Sequence, residues 1–417
     1  MSNVTRLETL KQSFEQVVPK QDKRVKLPPL DFLSGLVFYF LGDTKSVSLE
    51  SIRRDFTATF MITMSRSAFW ERLAGQRLKQ MLHDLLEDIM KKLPAKALIE
   101  PNLLKQLSVE RIRLLDASIM TLWDGAKTTY PGTFMSAGVK WHACFDLLAG
   151  KLDWFKITAA SVHDRKGFPD IKSLANQLII FDLGYWDYGL LIRIAVAEGF
   201  FLSRVKSEAV FVIKSVVTGL SESYIDQCFA DIKLKKKSQC VIEFLTDITV
   251  DEITKSFRVI GFWNPVENKY HWYITNLVVA AYVIYPLYKA RWQIELMFKG
   301  CKQSFNLDKR LLVSNNDNII ESLVLSSIIA SFATHVVLNI SIDELTKEEQ
   351  LAVSYQRLAH VVVLLSRDFI RYLTRSSAHY ANRLIDKIKL MSREIFEKNH
   401  RRRPTTLHLV NNALNGG

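Results

Sequence analysis

The chain has 417 residues, of which 48% are apolar and 24% are charged. This is the composition of a globular protein with a sizeable core, and it excludes a chain that is disordered throughout. Lysine and arginine number 56 against 43 acidic residues, so the formal net charge is +13. A charge of this sign favours a polyanionic partner, although charge alone does not separate nucleic acid from an acidic membrane.

The cysteines and the first residues predict a cytoplasmic protein. Cys144, Cys228, Cys240 and Cys301 are scattered without a CxxC pair, which argues against structural zinc or a disulfide framework. The opening segment MSNVTRLETLKQSFEQVVPKQDKR contains no apolar stretch of the kind found in secretory signals.

Residues 1–105 are predicted to form a helical N-terminal region that binds DNA. Ser48 and Ser65 are each placed to cap a short helix, and the second helix carries Arg66, Trp70 and Arg72. Two such helices resemble a helix-turn-helix in outline, although any small helical bundle would give a similar pattern.

From about residue 106 the pattern predicts an α/β core. Strands are expected at RIRLLDASIMTLW, in the hairpin VKWHACFDLLAGKLDWFKIT, and at LIIFD and FFLSRV, with helices at PDIKSLANQL and YGLLIRIAVAEG. This is the order of a ribonuclease-H-like core, a mixed sheet with helices on its faces. We place the core at residues 106–205 and 277–345, interrupted by a β-rich insertion at 206–276 and followed by a helical C-terminal region at 346–417.

One apolar segment inside the core is long enough to span a bilayer. Leu323–Ile342 has no charged residue over 20 positions, but it contains four serines, a threonine, a histidine and an asparagine and lacks a basic flank. We therefore predict a buried core helix rather than a membrane span.

Four polar residues in the segment YPLYKARWQIELMFKGCK are spaced to share one face of a helix. Tyr288, Arg291, Glu295 and Lys302 stand at offsets of 0, 3, 7 and 14. At about 100° per residue these offsets fall within an arc of roughly 60°. A carboxylate beside cationic and phenolic groups suits chemistry at a phosphate backbone. The alternative is an ordinary solvated helix face with an Arg–Glu pair.

Two aspartates lie in predicted strands, where an unpaired carboxylate is costly. Asp116 is inside RLLDASIM, and Asp182 is at the carboxyl end of LIIFD, where open α/β sheets place their sites. Each alone could cap a turn or a helix. Together with Glu295 on a helix that packs against the sheet, they would supply the acidic oxygen ligands that hard divalent cations require.

At this point the chain resembles the IS4-type transposases of insertion sequences, the DDE class that includes the Tn5 and Tn10 enzymes. The resemblance rests on Asp116 in the first strand, Asp182 after the fourth, a β-rich insertion, and the Tyr-x2-Arg-x3-Glu-x6-Lys spacing that ends at Lys302. It covers residues 110–345, and the four-residue spacing is its most specific element.

The resemblance implies roles for these residues. Asp116, Asp182 and Glu295 would be the catalytic triad and would bind two Mg²⁺ ions, for which Mn²⁺ can substitute. Arg291 and Tyr288 would hold a DNA phosphate. Lys302 is about 10 Å along the helix from Glu295, so it is expected to bind a flanking phosphate rather than a metal.

Two tryptophans are also predicted to contact DNA. Trp272, with Thr275 and Asn276 in HWYITNL, fits a W-x-x-T pattern that in hairpin-forming relatives stacks on a flipped base. The alternative is a core tryptophan in a strand. Trp292, next to Arg291, is expected to pack near the scissile end.

The resemblance implies a cut-and-paste DNA transposase that cleaves terminal inverted repeats and joins them to target DNA, with or without a hairpin intermediate. Double-stranded DNA would be its partner and a homodimer would form in the synaptic complex. No membrane would be involved, and in the bacterial cytoplasm the protein would associate with the nucleoid when bound to DNA.

Two other functions are compatible with parts of the sequence. A ribonuclease-H-like nuclease or resolvase would keep the fold and hydrolyse without joining strands, but it does not explain the spacing of the four polar residues. A DNA-binding repressor with an inactive core would be marked by a missing triad carboxylate, whereas Asp116, Asp182 and Glu295 are all present.

Overall fold

The computed structural model describes residues 3–19, 26–38, 48–93, 102–232, 240–305, 314–375, 377–396 and 405–415, together with residues 234 and 307. Helices precede a central sheet, and further helices follow it. The strands are β1 (Arg111–Thr121), β2 (Gly138–Asp146), β3 (Lys151–Ala159), β4 (Gln177–Phe181), β5 (Phe200–Arg204), β6 (Ile213–Thr218), β7 (Val241–Val250), β8 (Ile253–Asn264) and β9 (Lys269–Thr275).

The strands form one nine-stranded sheet in the order β3-β2-β1-β4-β5-β9-β8-β7-β6. β1 pairs antiparallel with β2 and parallel with β4, and β4 pairs parallel with β5. Three antiparallel strands followed by two parallel ones give the mixed sheet of a ribonuclease-H-like core, which confirms the predicted fold class. β1 lies between β2 and β4, so a residue in its middle is near the centre of the core.

The strands of the predicted insertion extend this same sheet. β9 pairs antiparallel with β5, and β8, β7 and β6 follow outward as antiparallel neighbours. Asn276 fixes the junction, because its side-chain amide donates to the Gly199 carbonyl at 2.8 Å and its side-chain oxygen accepts from the Phe201 amide at 2.9 Å. Residues 206–276 are therefore β-rich but add strands to the core sheet. The predicted domain boundaries remain predictions.

Helices lie on both faces of the sheet. In chain order they are α1 (Asn3–Val17), α2 (Pro29–Phe38), α3 (Leu49–Phe60), α4 (Arg66–Ala74), α5 (Gln76–Lys92), α6 (Asn102–Leu107), α7 (Tyr188–Val196), α8 (Ala281–Ala290), α9 (Trp292–Lys299), α10 (Asp317–Ser341), α11 (Lys347–Leu351), α12 (Tyr355–Leu364), α13 (Ser366–Thr374), α14 (Ala378–Leu390) and α15 (Thr406–Asn415). The segment PDIKSLANQL, predicted as a helix, forms only a short 3-10 turn at Ile171–Leu174.

The two faces of the sheet pack against separate hydrophobic cores. On one face Leu114, Leu178 and Leu202 belong to a large core that includes residues of α1–α5, α8–α10 and α12–α14. On the other face Leu115 and Ile179 pack with α7 and with residues of the added strands. Because side chains alternate along a strand, the register of each strand decides which core a residue joins.

Helix α10 runs through the large core. Asn316 caps it by accepting a hydrogen bond from the Ile319 amide at 3.2 Å. The Ser326 and Ser331 hydroxyls donate to carbonyls three residues earlier, at 2.9 Å and 2.6 Å, which satisfies these polar groups inside the core. Within the described part of the chain this is the one helix long and apolar enough to cross a membrane, and its most apolar 18-residue stretch is completely buried inside the protein. The prediction of a core helix is confirmed.

The N-terminal helices begin at the predicted serines. Ser48 accepts from the Ser51 amide at 3.0 Å, and Ser65 accepts from the Ala68 amide at 3.2 Å. On α4, Arg66 and Trp70 are exposed. Arg72 is not available on the same surface. Its guanidinium donates to the Leu27 carbonyl at 2.7 Å and lies 4.4 Å from the centre of the Phe32 ring, so it is used for packing.

Candidate active site

Asp116 occupies the middle of β1 and faces the large core. Leu114 and Met120 stand an even number of residues from Asp116, so they lie on the same face of the strand, and both belong to that core. The carboxylate therefore points toward the helices on this side of the sheet. The Asp116 Oδ1 atom accepts a hydrogen bond from the Ala117 amide at 2.8 Å, and its side chain is 20% exposed. A buried acid in a central strand needs a counter-charge.

Asp182 follows the last residue of β4, at the carboxyl end of the strand next to β1. Its backbone is extended, and it starts the short 3-10 turn Leu183–Tyr185. The Tyr288 hydroxyl of α8 donates to Asp182 Oδ1 at 3.0 Å. The same tyrosine ring lies 5.0 Å from the Tyr273 ring of β9, so packing on the added strands positions this hydroxyl.

Arg291 stands between α8 and α9 and joins two of the carboxylates. Its Nη1 atom lies 2.7 Å from Asp116 Oδ2, and its Nη2 atom lies 2.5 Å from Glu295 Oε1, one turn further along the helix. The Arg291 side chain is 12% exposed and that of Glu295 is 28% exposed. The planar guanidinium suits this double contact because its donors point in fixed directions.

The predicted single helix is interrupted. α8 ends at Ala290, α9 begins at Trp292, and a π-helical turn follows at Gly300–Ser304. Lys302 lies in this turn, and its Nζ atom donates to the Ile119 carbonyl of β1 at 2.6 Å. All four residues of the polar face thus point toward β1 and the Asp182 turn. Lys302 fastens the helix to the strand that carries Asp116.

Burial and charge set the protonation of this cluster. Burial raises the pKa of Asp116 to about 6, and the charges of Glu295 and Asp182 add to this effect, while Arg291 opposes it. The neighbouring carboxylates outweigh the burial of Arg291 and raise the pKa of its guanidinium, so it stays charged. Burial first, and then the charge of Asp182, raise the pKa of the Tyr288 hydroxyl, which stays protonated and able to donate.

The donor set fits a divalent cation, although the present spacing does not form a ready metal cage. No group of three or more acidic, histidine or cysteine side chains among the described residues is spaced to hold a metal ion. The cationic group of Arg291 stands between Asp116 and Glu295. The Nε atom of Arg291 is buried and has no hydrogen-bond partner. A cationic group held by two acids, with one donor unpaired, is consistent with a place that accepts a metal ion and a phosphate.

The two tryptophans differ in their surroundings. Trp272 lies on the opposite face of the sheet from Tyr273 and Tyr288, against Phe229 and Phe244 with ring-centre distances of 5.2 Å and 5.9 Å. Base stacking by Trp272 stays a prediction and would require the ring to leave this cluster. Trp292, at the start of α9, is 52% exposed. It is the aromatic residue next to Arg291 that is open to solvent.

A partly buried ion pair supports the Asp182 turn, and the pairing of its two residues was not predicted from the sequence. Lys140 of β2 donates to Asp164 Oδ1 at 2.8 Å and to the Val162 carbonyl at 2.6 Å. A Cβ atom at Gly184 would lie 2.5 Å from Asp164 Oδ2, so the turn after Asp182 packs directly on this carboxylate. The available signal was the glycine two residues after Asp182, which permits this close approach.

Residues 107–330, more than half of the chain, match the transposase DDE domain family. The chain therefore belongs to this family, and the resemblance to insertion-sequence transposases of the IS4 type is confirmed.

Three relatives illustrate the similarity. A Sinorhizobium fredii protein, y4zB, whose own assignment as a transposase is provisional, is 30% identical over 200 residues, which cover 46% of this chain and 51% of that protein. The transposase of insertion sequence element IS231E from Bacillus thuringiensis subsp. finitimus is 24% identical over 278 residues, which cover 53% of this chain and 56% of that protein. The transposase of IS1151 from Clostridium perfringens is 23% identical over 357 residues, which cover 69% of this chain and 74% of that protein. The chain spans about half the length of the first two relatives.

Among solved structures, a cryo-EM structure of the piggyBac transposase synaptic complex with hairpin DNA matches 92% of this chain and 82% of that chain, with a TM-score of 0.46 and 9% identity. At that score the likeness is too weak to support an inference.

Proposed function

We propose that this protein is a cut-and-paste DNA transposase whose active site is formed by Asp116, Asp182 and Glu295. The observation that carries the proposal is the two ion pairs that Arg291 makes with Asp116 and Glu295 at 2.7 Å and 2.5 Å, beside the Tyr288–Asp182 hydrogen bond. A strand, a strand end and a helix far apart in sequence contribute to this one cluster. Membership of the DDE-domain family supports the same assignment.

The metal requirement follows from the donor set. DDE transposases use divalent metal ions, and here Asp116, Asp182 and Glu295 would hold two Mg²⁺ ions, with Mn²⁺ as a substitute. Bound there, the ions would supply activation of a water or a DNA 3′-hydroxyl and stabilisation of the leaving oxygen.

The protein's own residues position the DNA. Arg291 releases Asp116 and Glu295 and turns its guanidinium, including the unpaired Nε, to a phosphate of the scissile strand. Tyr288 donates its hydroxyl to the same backbone instead of to Asp182. Trp292, exposed beside them, packs against the nucleotide at the cleaved end. No covalent enzyme intermediate is needed, because in-line phosphoryl substitution depends on positioning and charge stabilisation.

The partners proposed for this activity are the terminal inverted repeats of the element and a target DNA. Two ends have to be brought together, so a homodimer is expected in the synaptic complex. The net charge of +13 favours DNA as the partner. We also propose a bacterial cytoplasmic location, with association to the nucleoid through DNA, and a hairpin intermediate as one route from cleavage to joining.

The test uses the full chain, Mg²⁺ and a labelled duplex that carries the sequence ends flanking its own gene, together with a plasmid target. We expect nicking at the end of the repeat, followed by joining of the freed 3′-hydroxyl to the plasmid. Products that are cut but never joined would instead identify the ribonuclease-H-like nuclease. Binding without either reaction would overturn the enzymatic proposal.

A further inference from the structure

A basic surface lies outside the site, on helix α13 in the C-terminal part of the chain. Arg367, Arg371 and Arg375 are exposed and follow one another at intervals of four residues, so they lie on one face of this helix and its end. The acid on the same helix, Asp368, is directed to the other side. There it accepts from Lys387 of α14 at 2.7 Å. The arginine face is therefore not neutralised by its own helix.

The three arginines line an open cleft of about 520 Å³. The end of α3, from Ala58 to Met61, and Asp31 of α2 also line it. Among the lining residues that the structure describes, Asp31 carries the one carboxylate, against three guanidinium groups. Burial raises the pKa of Asp31, and Arg72 and Arg375 oppose that rise. The cleft thus carries an excess of positive charge.

Arg367 and Arg371 are free to meet a ligand. Neither makes a hydrogen bond or an ion pair with another side chain within the described ranges. Arg375 is partly used, because it donates to the Tyr380 hydroxyl at 3.1 Å. Exposed arginines without acidic partners lose little on binding, since no existing pair has to be broken.

The spacing suits a nucleic-acid backbone. Four residues of α-helix advance about 6 Å, so the three arginines extend over about 12 Å. A DNA strand places one negative charge about every 3.4 Å along its axis, and arginine is the residue that binds phosphates through a planar fork. Met61 of the cleft lining also begins the connection to α4, the helix that exposes Arg66 and Trp70.

We propose that the cleft between α13 and the end of α3 is a second DNA-binding site, which holds the phosphate backbone of a duplex without reading its sequence. The inference rests on the proposed function, since it assigns a further contact to the same DNA. It predicts that the C-terminal helices take part in binding together with the N-terminal ones.

The test compares Arg367→Gln/Arg371→Gln with the wild type by fluorescence anisotropy over a range of salt concentrations. Chelator is present, so cleavage does not contribute. One duplex carries the element ends and one has the same composition in scrambled order. We expect binding to both duplexes to weaken at least tenfold. Each phosphate contact contributes about 0.9 to the magnitude of the slope of log K against log salt concentration, where K is the association constant. Loss of two contacts should therefore reduce this magnitude by about 2.

Two controls isolate the site. Lys172→Gln/Lys347→Gln removes the same charge from two other exposed positions and is expected to keep the wild-type slope. Arg367→Lys/Arg371→Lys keeps the charge and is expected to retain most of the slope. Thermal unfolding at the wild-type temperature shows that each variant is folded.

Three results would overturn the inference. One is an unchanged slope in the glutamine variant. Another is weakening confined to the duplex with the ends, because a backbone contact is indifferent to sequence. The third is loss of a dimer with an unchanged slope, which would make the cleft a protein interface. In each case DNA cleavage by the wild type would leave the proposed function standing, whereas wild-type protein that binds neither duplex would remove both.

Discussion

At the scale of single residues, the site is organised around Arg291. A guanidinium between Asp116 and Glu295 gives two partly buried acids a counter-charge before any ligand arrives. The Asp116 pKa remains raised to about 6 in spite of this partner, so its ionised form is unfavourable in the folded protein. This is the expected cost of keeping a carboxylate ready inside a sheet for function.

The cost can be measured with Asp116→Asn. A carboxyl whose pKa is raised from 3.8 to about 6 binds more protons in the folded state, so its stabilising effect is complete below about pH 4 and is lost as the pH rises through 6. Asparagine does not titrate. We expect the free energy of unfolding of the variant, relative to wild type, to rise by about 1.4 kcal/mol between pH 5 and pH 7.5. Urea denaturation of metal-free protein measures it.

The matched control is Asp386→Asn, at an exposed aspartate of α14, which should show no comparable change with pH. A difference between Asp116→Asn and wild type that is the same at both pH values would show that burial does not act on this carboxyl as described.

Tyr288→Phe tests the hydroxyl that donates to Asp182. The aromatic ring would still pack on Tyr273, so the fold is expected to persist. In the proposed mechanism this hydroxyl donates to the DNA backbone, and losing a hydrogen bond to a charged group costs about 1.5–3 kcal/mol, so end cleavage is expected to slow about tenfold or more. Tyr273→Phe is the control on the same face and should cleave at the wild-type rate. Equal rates for both variants would remove Tyr288 from the site.

At the scale of elements, the site depends on how α8, α9 and the π-helical turn are fastened to β1. Sequence periodicity predicted that the four polar residues share a face, and the structure turns all of them toward β1 and the Asp182 turn. It did not predict the breaks at Arg291 and Gly300. Such breaks arise from packing against the strand, which local helix propensity does not contain.

Lys302→Met tests this fastening. The variant loses the 2.6 Å bond from Lys302 Nζ to the Ile119 carbonyl but keeps a side chain of similar length. We expect the free energy of unfolding to fall by about 1–3 kcal/mol, because a charged donor is removed from a partly buried acceptor. Lys299→Met, at an exposed position three residues earlier, should change it by less than about 0.5 kcal/mol. Equal effects would mean that the Lys302–Ile119 bond does not hold the turn.

The positions of Trp272 and Tyr273 in β9 could not be predicted from the sequence pattern alone. Trp272 and Tyr273 are adjacent, and a strand sends them to opposite faces. Which of them faces the site depends on the register of β9 against β5, set by pairs such as Ser203↔Ile274. These partners are far apart in the chain, so the W-x-x-T pattern alone could not decide it.

At the scale of the whole molecule, most of the succession of strands and helices in the core could be predicted, because it follows from local patterns along the chain. The joining of β9 to β5, which turns an insertion into an extension of the sheet, could not, because it is a pairing between distant segments. In the same way, the acids Asp116, Asp182 and Glu295 could be selected by residue type and placement. The position of Arg291 between two of them is a property of the packed structure.

The arginines of the described chain lie in different surroundings. Arg291 serves the site, Arg72 is used for packing on Phe32, and Arg367 and Arg371 remain exposed without acidic partners in the described chain. A net charge of +13 therefore does not act as one uniform surface. The arginines include one in the partly buried cluster proposed for chemistry and others in the cleft proposed for the DNA backbone.

The most direct measurement of the central claim is the rate of end cleavage in Mg²⁺ by Glu295→Gln, by the double variant Asp116→Asn/Glu295→Gln, and by Glu222→Gln as the exposed control. Residues that act as one unit are not additive. We therefore expect Glu295→Gln to lose at least a thousandfold in rate, the double variant to lose no more than this, and the control to cleave like wild type. Cleavage by Glu295→Gln within a few-fold of the wild-type rate would contradict the assignment of this carboxylate cluster as the active site.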